Sequence, residues 1–216
     1  MEAMHVRLYM LTGVGIVSLA LAGCLSLPRE ERPIQTFILS LDSSAGGTAI
    51  PEVRLGAGIL VVNAPVAQPG FDTTRMAYTQ RLYEVSYHAT HQWADSPARM
   101  LAPLLVRSLE TTGLWRAVVS VPTAVRGDYQ LDISSLVLQQ EFLTQPSRTH
   151  VLLRAQLVEM KEQRVMGART FEALEPAPSD DAYGGVLAAN HAVAKVLQAV
   201  EDWIKSCLRV SPKDNC

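Results

Sequence analysis

Apolar and polar positions change period several times along the chain, and each change marks an element. Ile34 to Leu41 is strand-like, and Asp42-Ser43-Ser44-Ala45-Gly46-Gly47 then reads as a loop. Ala57 to Asn63 is a short, apolar, β-branched run, expected as a strand buried on both faces and central in a sheet. After a loop around Pro65, Pro69 and Gly70, the segment Met76 to His88 alternates in part. Leu82, Glu84, Ser86 and His88 share one face and Tyr83, Val85 and Tyr87 the other, which predicts two short strands meeting near Gln80-Arg81. From Ser96 the period becomes helical. Ser96 suits an N-cap with Pro97 at the first helical position. Met100, Leu101, Leu104, Leu105, Ser108 and Leu109 then fall at helical spacing up to Gly113, predicting an amphipathic helix from Pro97 to Thr112.

Three strand candidates follow, Trp115 to Val121, Asp128 to Glu141 and Thr149 to Lys161. In the second, Tyr129, Leu131, Ile133, Ser135 and Val137 alternate with Gln130, Asp132, Ser134, Leu136 and Leu138. Such long strands with one half-polar face predict an antiparallel ribbon turning around Gln145-Pro146-Ser147. Val165 to Leu174 continues it, with Gly167 as a bulge or turn residue. A long helix from Asp180 to Cys207 closes the chain, its two aspartates at the positive end of the helix dipole. The expected fold is therefore α+β, a single domain with a mostly antiparallel sheet packed against two helices.

The N-terminus follows another logic. A start carrying His5 and Arg7 precedes an apolar run from Leu8 to Ala20 and then Leu21-Ala22-Gly23-Cys24. A basic start, an apolar stretch and small residues at a cut site are the parts of a secretory signal. Leu-Ala-Gly-Cys adds a lipobox, in which the cysteine sulfur takes a diacylglycerol before cleavage. The expected organisation is a lipoprotein signal peptide over residues 1–23, a lipidated tether over 24–33 and a folded domain over 34–216. Lipidation at Cys24 would hold the domain beside a membrane, because two or three acyl chains make such an anchor effectively permanent. Leu25 stands where an aspartate commonly retains lipoproteins in the inner membrane of enteric bacteria, so the expected location is the periplasmic face of the outer membrane.

Charge and cysteines narrow the function classes. The net charge is −2 and no Lys/Arg cluster gives the footprint of a nucleic-acid binder. Beyond Cys24, Cys207 and Cys216 are free to form a disulfide in an oxidising compartment. Metal ligation is not expected: there is no Cys-x-x-Cys, and His88, His91, His150 and His191 show no ligand spacing. Neither a Gly-x-Ser-x-Gly elbow, a His-Glu-x-x-His helix nor a phosphate-binding loop is present, so neither an enzyme nor a cofactor is expected. A more informative feature is the aromatic group Tyr78, Tyr83, Tyr87 and Trp93. Its inward members would pack as core, and Tyr83, Tyr87 and Trp93 are candidates for contact with a partner or lipid.

The order of these motifs resembles the ABC-type transport auxiliary lipoproteins, including the paraquat-inducible lipoprotein C group. The resemblance lies in the lipobox, Thr36-Phe37-Ile38-Leu39, Arg81-Leu82-Tyr83-Glu84-Val85-Ser86-Tyr87, Gln92-Trp93-Ala94-Asp95-Ser96-Pro97 with the leucine-rich helix behind it, Leu114-Trp115, and Asp128-Tyr129-Gln130-Leu131-Asp132-Ile133. Thr36 and a longer gap from Ser43 to Ala57 depart from the family pattern. The resemblance implies a non-catalytic accessory of a lipid-transport system, with an MCE-domain protein of an ABC transporter as its partner. The alternative is a lipoprotein assembly factor for an outer-membrane β-barrel such as a lipopolysaccharide-export protein.

Overall fold

In the computed structural model the described residues are 33–41, 58–209 and 216. The expected signal peptide, Cys24, most of the tether and the loop from Asp42 lie outside them. Within the compact unit Ile34–Cys216 the elements run β1 (Gln35–Phe37), β2 (Ile59–Val62), β3 (Arg75–Thr79), β4 (Ser86–Trp93) and α1 (Pro97–Thr111), then β5 (Ala117–Ser120), β6 (Tyr129–Glu141), β7 (Arg148–Glu159), β8 (Arg164–Pro176) and α2 (Ala182–Cys207).

The sheet is organised by β6, which at 13 residues is long enough to serve two shorter strands in succession. On one side it pairs with β7, antiparallel, and β7 with β8. Its other side is shared. The N-terminal half pairs in parallel with β2, Leu60 opposite Tyr129, and the C-terminal end pairs in parallel with β3, Ala77 opposite Gln139. β5 lies beyond β2, and β4 and then β1 lie beyond β3. The sheet is mixed rather than purely antiparallel: the short β1–β4, β2–β5, β2–β6 and β3–β6 ladders are parallel, while β3–β4 and the long ladders of the β6–β7–β8 ribbon, which hold most of the paired residues, are antiparallel. Hairpin reasoning finds the ribbon because a short turn joins antiparallel neighbours. It misses the parallel pairings because their partners are far apart in sequence.

A bulge explains the internal pattern of β6. Register shifts between Ser134 and Val137, and Ser135 has φ +57°. An extra residue reverses the alternation, so the buried positions are Leu131 and Ile133 before the bulge and Leu136 and Leu138 after it. Val137 packs on the opposite face with Phe71 and Ala77 in a small separate cluster.

Both helices cover one face of the sheet, α2 on β7 and β8 and α1 mainly on β5. Leu101, Leu105 and Leu109 of α1 and Leu197 and Ile204 of α2 meet Leu60, Leu131, Leu153 and Leu157 of the sheet, all fully buried. Each such side chain stabilises the fold by roughly 1.5–3 kcal/mol. Pro97 opens α1 as expected, and the Ser96 carbonyl accepts from the Arg99 and Met100 amides; its hydroxyl makes no capping bond. In α2, Asp181 caps the helix by accepting from the Gly184 amide at 2.7 Å, and Asp180 accepts from the Ser147 amide at 2.6 Å. These backbone donors hold both carboxyls below their ordinary pKa.

Three expectations are corrected. The first strand covers Gln35–Phe37 only. β2 buries Leu60 and Val62 and leaves Ile59 and Val61 half-exposed, because helices cover a single face. Leu82 to Val85 belong to the turn between β3 and β4, so no strand face is shared there.

Candidate functional site

Residues 80–85 join β3 to β4 in a tight turn built by local hydrogen bonds. The Thr79 hydroxyl donates to the Arg81 carbonyl at 2.6 Å, and the Glu84 amide donates to the same carbonyl at 3.3 Å. Tyr83 has φ +67°, a left-handed conformation that favours glycine and is costly for a bulky residue. Its side chain is bare, at 105% relative exposure, beside Leu82 at 70% and the exposed Val85. Arg81 and Glu84 stand 3.9 Å apart in solvent, a pair too hydrated to fix the turn. A neighbouring turn, between β6 and β7, reaches the same end: the Phe142 amide donates to the Thr79 carbonyl at 2.9 Å, and Leu143 is exposed.

Behind this end a row of rings runs across β1, β4 and β3. Tyr183 stands 6.2 Å from Phe37, Phe37 stacks on His91 at 6.0 Å, and His91 meets His88 edge-on at 5.6 Å. His88 then lies 4.7 Å from Tyr78, and Tyr78 meets Phe142 edge-on at 5.9 Å. Burial, and secondarily the neighbouring His91, lower the His88 pKa, favouring its neutral form. His88 also lines a cavity of about 10 Å³ with Met76, Trp93, Leu138, Gln140 and Thr149. His88 Nε2 and Gln140 Oε1 are buried without a hydrogen-bond partner among the described residues, and the cavity has room for one water. An open cleft of about 380 Å³ lies between α1 and the C-terminal ends of β2 and β5, lined by Val62, Pro103, Val106, Arg107 and Val121.

Of the three aromatic residues singled out by sequence, Tyr83 is the most exposed. Trp93 is 3% exposed and packs in the main core, so it is not presented to a partner or lipid; a register shift of β4 on β3 between Tyr87 and Gln92 breaks the alternation that would otherwise put it on the face of Tyr87. Tyr87 is on the opposite face and already engaged: its hydroxyl donates to the Gly70 carbonyl at 2.8 Å, and the Arg75 guanidinium lies 3.9 Å over its ring. Cys207 and Cys216 stand in disulfide geometry with Cα atoms 5.0 Å apart. The Cys216 amide donates to the Met166 carbonyl at 3.0 Å on the edge of β8, beside Gly167, where a Cβ would lie 2.6 Å from the Cys216 sulfur. Sequence reasoning missed Leu82 and the Phe37–His91 stack. Leu82-Tyr83 carried a signal, two large apolar side chains where turns favour Gly, Asn, Asp or Pro. The stack carried none, because its rings come from strands more than fifty residues apart.

Among the described residues no three His, Cys, Asp or Glu side chains are arranged to hold a metal ion, and no helix is long and apolar enough to cross a membrane. The arrangement offers surfaces: a bare apolar turn, an aromatic row and an open cleft.

Comparison with solved structures gives the same fold twice. A Xanthomonas campestris protein shares 22% identity at a TM-score of 0.66, covering 82% of this chain and 95% of its own. An uncharacterised protein shares 11% identity at a TM-score of 0.61, covering 80% of this chain and 99% of its own. No curated protein matches the chain in sequence. Residues 37–201 match the family described as the ABC-type transport auxiliary lipoprotein component, a span from β1 into the last third of α2. The protein is therefore a member of the ABC-type transport auxiliary lipoprotein family, related to an envelope transport system as an accessory component.

Proposed function

We propose that this protein is a lipid-anchored, non-catalytic accessory of an MCE/ABC-type phospholipid transport system, held at the periplasmic face of the outer membrane through Cys24. The observation that carries this reading is the family match over residues 37–201. The lipobox before Cys24 supplies the anchor, and Leu25 in place of an aspartate favours the outer membrane. The partner is an MCE-domain protein of the transporter. The aromatic row ending at Tyr183 and β1, an edge strand among the described residues, suit its docking, because aromatic side chains and strand edges are recurrent protein-recognition elements.

The test is purification of the full-length protein from mildly crosslinked membranes, with Cys24→Ala as control, followed by identification of what accompanies it. Recovery of an MCE-domain protein that falls when the anchor is removed supports the role. Recovery of an outer-membrane β-barrel without any MCE-domain protein replaces it with an assembly role.

A further inference from the structure

We infer that the β3–β4 turn is a second membrane contact, inserting Leu82, Tyr83 and Val85 into the bilayer that holds the lipid anchor. This inference rests on lipidation at Cys24 and commits the turn to a lipid surface rather than to a protein.

Direction comes from the strand register. β1 is parallel to β4, with Gln35 level with His91 and Phe37 with Trp93. β4 begins at Ser86, immediately after the turn, and runs away from it. The N-terminal end of β1 therefore faces the turn, so Ile34 leads into the domain from that side. Distance agrees. Tyr78 pairs with Ser86 and Arg75 with Gln92, so only three β3 steps, about 10 Å at ~3.3 Å each, separate the start of β4 from the level of β1. The ten residues from Cys24 to Ile34 span at most about 35 Å when extended. The anchor can thus lie in the same bilayer plane as the tip of the turn, with slack to spare.

The chemistry of the turn suits that plane. Tyr83 is fully exposed, Leu82 is 70% exposed, and the exposed Arg81 beside them can meet lipid phosphates. Tyrosine prefers the boundary between headgroups and acyl chains, where its ring is buried and its hydroxyl stays wet. Size separates lipid from protein as the occupant. The exposed apolar side chains sit on a turn of only six residues, 80–85, whereas a specific protein interface commonly needs about 800 Å² on each partner. Backbone geometry adds an independent sign: Tyr83 occupies φ +67°, where glycine would be relaxed, and such strain concentrates at residues held for a task outside the fold. The exposed Leu143 on the adjacent turn extends the same end.

The experiment places a reporter at the tip. Full-length protein carrying Tyr83→Trp is reconstituted into phosphatidylcholine vesicles with or without brominated acyl chains, beside a Val125→Trp variant. Val125 is exposed in the segment that leads into the far end of β6. The native Trp93, Trp115 and Trp203 are buried, so they contribute a constant background. The expected result is a blue shift and bromine-dependent loss of emission for Tyr83→Trp and neither for Val125→Trp. Mass measurement of the N-terminal peptide reports the anchor separately. An acylated Cys24 with no quenching at position 83, or equal quenching at both positions, overturns the membrane contact and leaves the anchor standing. An unmodified Cys24 overturns the anchor and removes the basis of the contact with it.

Discussion

Replacing Tyr83 by glycine should stabilise the domain even though it removes a large side chain. A non-glycine residue in the left-handed region costs roughly 1–2 kcal/mol. Tyr83 recovers none of it through packing, because its side chain is wholly in solvent. Glycine returns that cost but adds about 0.5–1 kcal/mol of unfolded-chain entropy. The net expectation for Tyr83→Gly is a gain of about 0.5–1 kcal/mol, a rise in Tm of roughly 1–4 °C in a domain of this size. The assay is urea unfolding of the lipid-free mature chain carrying Cys24→Ser, followed by the emission of the buried Trp93, Trp115 and Trp203. A loss of about 1 kcal/mol or more would refute the reasoning, since it would mean that the ring makes stabilising contacts within the folded chain. A gain in stability together with weaker vesicle association of the lipidated protein is the pattern expected of a residue kept for an external surface.

Other consequences follow from the helix termini and the chain end. Gly184→Ala should cost about 1–3 kcal/mol in urea unfolding, because its Cβ would collide with the Ser179 backbone carbonyl. Gly185→Ala meets the Gln140 side chain instead and should cost less; equal losses would contradict the assigned contacts. Glu201 contacts the Ser108 hydroxyl across the α1–α2 interface, and burial, the largest cause, raises its pKa. Its protonated form is thus favoured on folding, so its contribution is full below the unfolded pKa and is lost as pH rises through the folded value. Glu201→Gln should accordingly raise stability near neutral pH, by less than about 1 kcal/mol given its partial hydration, with the gain shrinking in acid; a gain largest in acid would reverse the assignment. The Cys207–Cys216 pair spans nine residues, a closure expected to contribute about 2–3 kcal/mol. Cys207→Ser should lose that amount, and thiol titration of the unreduced, unfolded protein should find neither cysteine free.

Legibility in the sequence followed the range of the interactions. Local physics made α1, α2 and the β6–β7–β8 ribbon readable, because helical spacing, the prolines and glycines at their ends and a short turn act between near neighbours. Trp93 shows where such reading stops. Its residue type suits a core or an interface equally, and only the pairing of β4 with β3 and β1, with the helices laid on one side, turns it inward. The sequence by itself determined the order of elements, the family motifs and the lipobox before Cys24, all of which are local or sequential patterns. Tertiary structure decided that β6 carries β2 and β3 in succession along one edge, and that the bulge at Ser135 exchanges its buried face. It also decided that Tyr83 stands bare on the side from which Ile34 leads into the domain. These are properties of long-range register and burial, and one residue's identity constrains them only weakly until all the strands are in place.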